Sequence, residues 1–168
     1  MRVLYIAEVR RQDLSKNNSF FEYQALKKIF KNVDLLSCKS FFIFPKISRM
    51  IFHRISPKIF ESFLSYFILS KINRNYDLIY VNNTSAAYIG KKLIINLKKK
   101  TKKIVVFIND NPFTKRDNNR WKLYLDAAKL YDLTATYHAS RERLGKKFGI
   151  KNIILVNPSY QKGVHSKK

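Results

Sequence analysis

Acidic side chains are scarce in this chain. Over 168 residues, 11 Asp and Glu stand against 34 Lys and Arg, a formal net charge of +23. Such an imbalance raises the local concentration of anions and steers anionic partners. Phosphate-rich membranes, nucleic acid and phosphorylated sugars are the candidates. Cysteine occurs once, at Cys38, which excludes an internal disulfide and agrees with a reducing compartment. With four glycines in all, no glycine-rich phosphate loop can be drawn. The first apolar run leads into Glu8-Val9-Arg10-Arg11, not G-x-G-x-x-G, which disfavours a dinucleotide site of that kind. Neither a Walker loop nor a G-x-S-x-G elbow is present. His53, His138, His165 and Cys38 lack the spacing of metal ligands, so zinc and cysteine-hydrolase chemistry have little support. No apolar run reaches the roughly 20 residues of a membrane-spanning helix. The longest, Ile59–Ile72, is broken by Glu61, three serines and Lys71. Met1–Glu8 is too short and too soon interrupted for a secretory signal.

What is present reads as one domain by length, with enough chain to bury about two-thirds of its unfolded surface. Short apolar runs alternate with helical patterns. Strands are expected at Val3–Ala7, Val33–Leu36, Leu78–Val81, Ile104–Ile108, Leu133–Thr136 and Ile153–Val156. Helices are expected from Ser19 to Phe30, with Phe21, Ala25, Leu26 and Ile29 inward, from Ser85 to Lys99, and from Asn118 to Leu130. A further helix, capped by Ser140, ends at Gly149. This alternation predicts an α/β fold, Rossmann-like, with a mostly parallel sheet of about six strands and helices on both faces. The lysines Lys98, Lys99, Lys100, Lys102 and Lys103 complement a helix C-terminus and read as a solvated cluster.

A basic, aromatic insertion at about 40–72 interrupts the rhythm. If Phe41–Ile55 is helical after Pro45, Ile47, Met50, Ile51 and Ile55 share one face, and Lys46, Arg49 and His53, with Arg54 beside them, lie on the other. A basic amphipathic helix of this kind suits an anionic membrane surface; packing on the sheet is the alternative. The next segment places Phe60, Phe63, Leu64, Phe67 and Ile68 at helical spacing and is expected in the core.

Ligands of parallel α/β sheets sit beyond the carboxyl ends of the strands, where the polar clusters of this sequence fall. A strand order of 3-2-1-4-5-6 would make the first and fourth strands neighbours. Glu8, Arg10 and Arg11 would then face Asp110 and Asn111, with Asn82 and His138 on the same rim. A carboxylate there, Asp110 or Glu8, can serve as general base on a hydroxyl. The arginines can bind a phosphate or carboxylate.

Ile104–His165 resembles the N-terminal domain of GT-B glycosyltransferases, most closely the spore-maturation (CgeB-like) group. The resemblance rests on Ile108-Asn109-Asp110-Asn111-Pro112-Phe113, Tyr131-Asp132-Leu133-Thr134, Ser140-Arg141-Glu142, Gly149, and Asn157-Pro158-Ser159-Tyr160 leading to Val164-His165. It implies the acceptor-binding lobe of a glycosyltransferase acting on a bacterial cell-surface glycan or a lipid-linked, anionic acceptor. Asp110 and Glu8 would be the catalytic candidates, and Arg10, Arg11, Asn82, Asn111, His138 and Arg141 the acceptor contacts. It further implies no cofactor in this chain, a nucleotide-sugar donor held by a separate C-terminal lobe, and a cytoplasmic location, peripheral to the membrane. Where the family has two acids before the proline, this chain reads Asn109-Asp110-Asn111-Pro112, keeping one. The composition also admits a nucleic-acid-binding module or a non-catalytic membrane-surface adaptor. No RRM, KH or zinc signature supports the former.

Overall fold

Each apolar run becomes a strand because the polar or glycine-containing segment after it lets the chain turn back, and the helix that follows returns it to the same end of the sheet. The computed structural model describes residues 1–8, 18–38, 57–112, 119–136 and 141–156. The elements are β1 (Arg2–Ala7), α1 (Asn18–Ile29), β2 (Asn32–Ser37), a 3-10 turn (Pro57–Phe60), α2 (Glu61–Ser70), β3 (Tyr76–Val81), α3 (Asn83–Ala86), α4 (Lys91–Leu97), β4 (Thr101–Ile108), α5 (Lys122–Ala127), a second 3-10 turn (Ala128–Leu130), β5 (Leu133–Thr136), α6 (Arg141–Phe148) and β6 (Ile153–Leu155). The predicted helices at Ser85–Lys99 and Asn118–Leu130 are shorter and divided. Gly90, at the N-terminus of α4, separates α3 from α4. A side chain at position 90 would collide with the Glu61 carboxylate, which accepts from the Lys92 amide at 2.9 Å. Glu61 thus supplies a first-turn acceptor that the α4 sequence lacks.

Six strands form one all-parallel sheet in the order 2-1-3-4-5-6. The expected order 3-2-1-4-5-6 is therefore corrected: β3, not β4, pairs with β1 on the side away from β2. The strand sequences explain this. In β3, Tyr76, Ile79 and Val81 are buried, and five of the six β1 residues are buried. Such strands belong in the interior of a parallel sheet. Asn32, exposed, and Asp34, half-buried, mark β2 as an edge.

Strand alternation divides the core. One face carries Leu4, Ile6, Ile79, Val81, Ile104, Val106 and Ile108 under α2, α4 and α5. Trp121 is fully buried there, edge-on to Tyr124 with ring centroids 5.8 Å apart. Leu64 and Ile68 are buried as expected, while Phe63 is exposed. The other face carries Tyr5 and Ala7 with Val33, Leu35 and Tyr80, covered by Tyr23 and Leu26 of α1. The expected inward stripe of α1 is corrected: Ala25 and Ile29 are exposed. Leu26 turns inward as expected, joined by Ser19, Glu22 and Tyr23, because Tyr5 and Val33 meet α1 one helical position away from the predicted stripe. Among the described residues, no helix is long and apolar enough to cross a membrane. The Phe41–Ile55 segment, with Lys46, Arg49, His53 and Arg54, lies outside the described residues, as do the Ser140 cap, Asn157–Tyr160 and His165.

Candidate functional site at the carboxyl edge

In the 2-1-3-4-5-6 order the chain leaves β1 in one direction and β3 in the other, so the crevice opens between the carboxyl ends of β1 and β3. Glu8 follows β1 and is buried. Asn82 and Asn83 follow β3 and are also buried. The Asn82 amide donates to the Ile6 carbonyl at 2.9 Å, continuing the β1–β3 ladder to the lip of the crevice. Asn82 then caps α3, its Oδ1 accepting from the Thr84 amide (3.3 Å) and hydroxyl (3.0 Å).

Asn83 reaches the opposite way, to the exit of β4. Its Oδ1 accepts from the amides of Asn109 (3.0 Å) and Asp110 (3.2 Å), and its Nδ2 donates to Asp110 Oδ2 (3.0 Å). A buried amide side chain thus holds a solvent-exposed carboxylate in place. Beside it, Asn109 Oδ1 is buried with no hydrogen-bond partner among the described residues. An acceptor left unmet in this way costs on the order of 1–3 kcal/mol. Asn111 is exposed on the same turn.

Sequence reading missed Glu22. It lies on α1 at the β1/β3 junction, and its Oε2 accepts from the Tyr5 hydroxyl (2.8 Å) and from Asn82 Nδ2 (2.8 Å). Among the described residues its Oε1 has no partner, yet that atom is not sealed off. Burial raises the Glu22 carboxyl above its ordinary value, against the opposing pull of the Asn82 and Tyr5 hydrogen bonds. The Tyr5 and Tyr80 hydroxyls are pushed upward, first by burial and then by the nearby Glu22 charge. The available signal was a single acid between Phe21 and Tyr23, in a helix with no acid in its first turn.

The structure brings Glu8, Asn82, Asn111 and Asp110 to one edge. It does not make Glu8 and Asp110 neighbours, because β3 stands between their strands and sets them about 10 Å apart, two strand spacings. Asn82 and Asn83 occupy the intervening position. Arg10, Arg11 and His138 lie outside the described residues, and Arg141 begins α6. Cys38 is fully buried, and desolvation pushes its thiol up to about 12, which removes it as a nucleophile. Among the described residues no cluster of His, Cys, Asp or Glu could hold a metal ion. The chemistry available at the edge is an exposed carboxylate oriented by a buried asparagine, and a shielded carboxylate raised above its ordinary value by burial.

The fold and this edge define a doubly wound α/β protein with a polar crevice at its switch point. Compared with known proteins, the chain matches no family model, and no curated protein matches it significantly.

Proposed function

We propose that this chain is the acceptor-binding lobe of a glycosyltransferase of the GT-B kind, working with a separate lobe that holds the nucleotide-sugar. The acceptor is a bacterial cell-surface glycan or a lipid-linked glycan presented at the cytoplasmic face of the membrane. The observation that carries this reading is the Asn83–Asp110 arrangement, an exposed carboxylate held in place by a buried side-chain amide. Sugars present vicinal hydroxyls that donate, and a carboxylate fixed in this way accepts from them. In an inverting reaction a carboxylate of this edge takes the acceptor proton. The acceptor oxygen then attacks the anomeric carbon of the donor, and the nucleotide leaves from the other lobe. Asp110 is the open candidate for the base, with Glu8 beside the crevice. Glu22, its carboxyl raised by burial, is the shielded one.

Calorimetric titration of the chain with neutral and phosphate-bearing oligosaccharides tests the reading. Binding is expected, weakened on the order of tenfold by Asp110→Ala or Asn83→Ala, the loss of one or two hydrogen bonds. Binding indifferent to both substitutions, or absent for every glycan, contradicts it. An oligonucleotide bound more tightly than any glycan, with a steep salt dependence, transfers the assignment to a basic nucleic-acid-binding module.

A further inference from the structure

The opposite end of the sheet has its own chemistry. Helices α1, α2 and α4, and the turn after α5, each end a few residues before the next strand begins. Their carboxyl ends therefore gather at the amino edge, and so does the end of α6. Lysines cluster at these ends: Lys27 and Lys28 on α1, Lys129 after α5, Lys146 and Lys147 on α6. Cations there complement the helix dipoles, but their number exceeds what the acids of this edge can pair. Asp34 is taken by Arg74 (2.6 Å) and the Tyr76 hydroxyl (2.9 Å). Asp77 is taken by Lys102 (2.7 Å) and the Arg2 amide (2.8 Å). Asp132 is taken by the Ile104 amide (2.8 Å), with Lys98 at 3.6 Å. The side chains of Arg2, Lys99, Lys103 and Lys151 are left with no acidic partner among the described residues, and all four residues are exposed.

Two cavities open side by side on this edge and meet at Met1 and Asp77. The first, about 570 Å³, is cationic, lined by Arg2, Lys99, Lys100 and Lys102 among polar groups. The second, about 640 Å³, is mainly apolar, lined by Leu78, Val105, Leu133, Ile153 and Ile154, with Lys103 and Lys151, and the paired Asp77 and Asp132, also on its lining. Except for Ile153, which alternation turns to the other side, these residues belong to the sheet face on which α1 is the sole described helix. Ile154, 44 % exposed, closes the far end of the groove, level with Ala135 and Phe107 near the carboxyl ends of their strands, while Ile29 projects at the amino edge with 71 % exposure.

We propose that the amino edge is a docking surface for an anionic lipid bilayer, with a phosphate headgroup seated among Arg2, Lys99 and Lys102 and acyl chain against the adjoining Leu78–Val105–Leu133–Ile154 groove. A cationic cleft continuous with an apolar groove matches an amphiphile whose charged and greasy ends are joined. A nucleic acid would use the cations but has no apolar part for the groove. It would instead call for exposed aromatics to stack on, and among the described residues the exposed apolar side chains lining the two cavities are Met1 and Ile154. A second copy of this chain, equally cationic, would be repelled. The inference needs no assumption about sugar transfer. If both hold, the crevice faces away from the bilayer by about 20 Å, the length of a six-residue strand. The acceptor must then be a glycan long enough to extend that far.

Co-sedimentation of the full chain with vesicles tests this. Binding is expected to phosphatidylcholine vesicles containing a third phosphatidylglycerol, to be absent for phosphatidylcholine alone, and to fall with salt. Lys99→Glu/Lys103→Glu/Lys151→Glu, which disturbs no described ion pair, lowers the affinity on the order of a hundredfold or more. Ile154→Ser weakens binding without changing its salt dependence. Circular dichroism verifies that each variant is folded. Lys46→Glu/Arg49→Glu/Arg54→Glu leaves most of the binding in place. The proposal is overturned if that second triple variant abolishes binding while the first retains it, which would put the membrane contact in the 41–55 segment and leave the glycan reading untouched. It is equally overturned if the first triple variant loses oligonucleotide binding while vesicles are never bound.

Discussion

The two ends of one parallel sheet are built on different principles. At the carboxyl edge the polar groups are few and, Asp110 and Asn111 apart, shielded and bonded to one another: Asn82 to Glu22 and Thr84, Asn83 to the β4 exit, Glu22 to Tyr5. At the amino edge they are many, exposed and predominantly cationic, with Lys102 80 % exposed even while paired to Asp77. Buried networks specify geometry and are costly to break, whereas exposed charges contribute little to stability and act at a distance. The comparison teaches that the +23 charge and the candidate chemistry need not share a site. A basic composition invites the search for basic residues in the crevice, yet the described crevice is formed by amides and carboxylates.

Substitutions can break this contrast in a graded way. Trp121→Ala empties a fully buried site in the core beneath both edges, and denaturant unfolding is expected to show a loss of about 3–5 kcal/mol. Asn83→Ala is next. It removes three hydrogen bonds at the carboxyl edge and should cost about 2 kcal/mol. A cost below about 0.5 kcal/mol would mean that the edge is not preorganised.

The Glu22 prediction concerns pH. Its folded carboxyl is raised above the ordinary 4.5, so the folded protein holds that proton more tightly than the unfolded chain. The resulting stabilisation is complete below about pH 4.5 and is lost as pH rises through the folded value. Glu22→Gln removes this loss, so its stability relative to the parent should improve between pH 4 and pH 7. A difference unchanged over that window would contradict the shielded carboxylate. The smallest effect belongs to the amino edge. Lys99→Ala should change stability by no more than about 0.5 kcal/mol, a contrast with Asn83 that sharpens the division between the two ends.

The fold was largely legible because it rests on periodicity. All six strands lie where the apolar runs place them, and Trp121, Leu64 and Ile68 are buried as their spacing requires. Strand order was not legible from spacing alone. The clue lay in composition, since Asn32 and Asp34 suit an edge while β3 carries apolar residues on both faces. The inward face of α1 was misread because Ala25 and Ile29 continue an apolar stripe, whereas the docking of Tyr23 and Leu26 on Tyr5 decides the rotation. At the site, Asp110, Asn82 and Glu8 were visible as polar residues closing strands. Asn83 and Glu22 were not, because their roles arise from bonds across 17 to 60 positions of sequence, which no local pattern encodes. The lysine cluster at 98–103 was visible as a helix-end feature. Its pooling with the other helix ends became apparent only from the parallel topology.

Backbone amide shifts, recorded on one sample titrated first with an oligosaccharide and then with anionic bicelles, test the separation of the two edges most directly. The account predicts that the glycan moves Asn82, Asn83, Asn109 and Asp110, and that the bicelles then perturb Arg2, Lys99, Lys103 and Lys151 while the first set stays put. Both ligands perturbing the same edge, or the glycan perturbing neither, would contradict it.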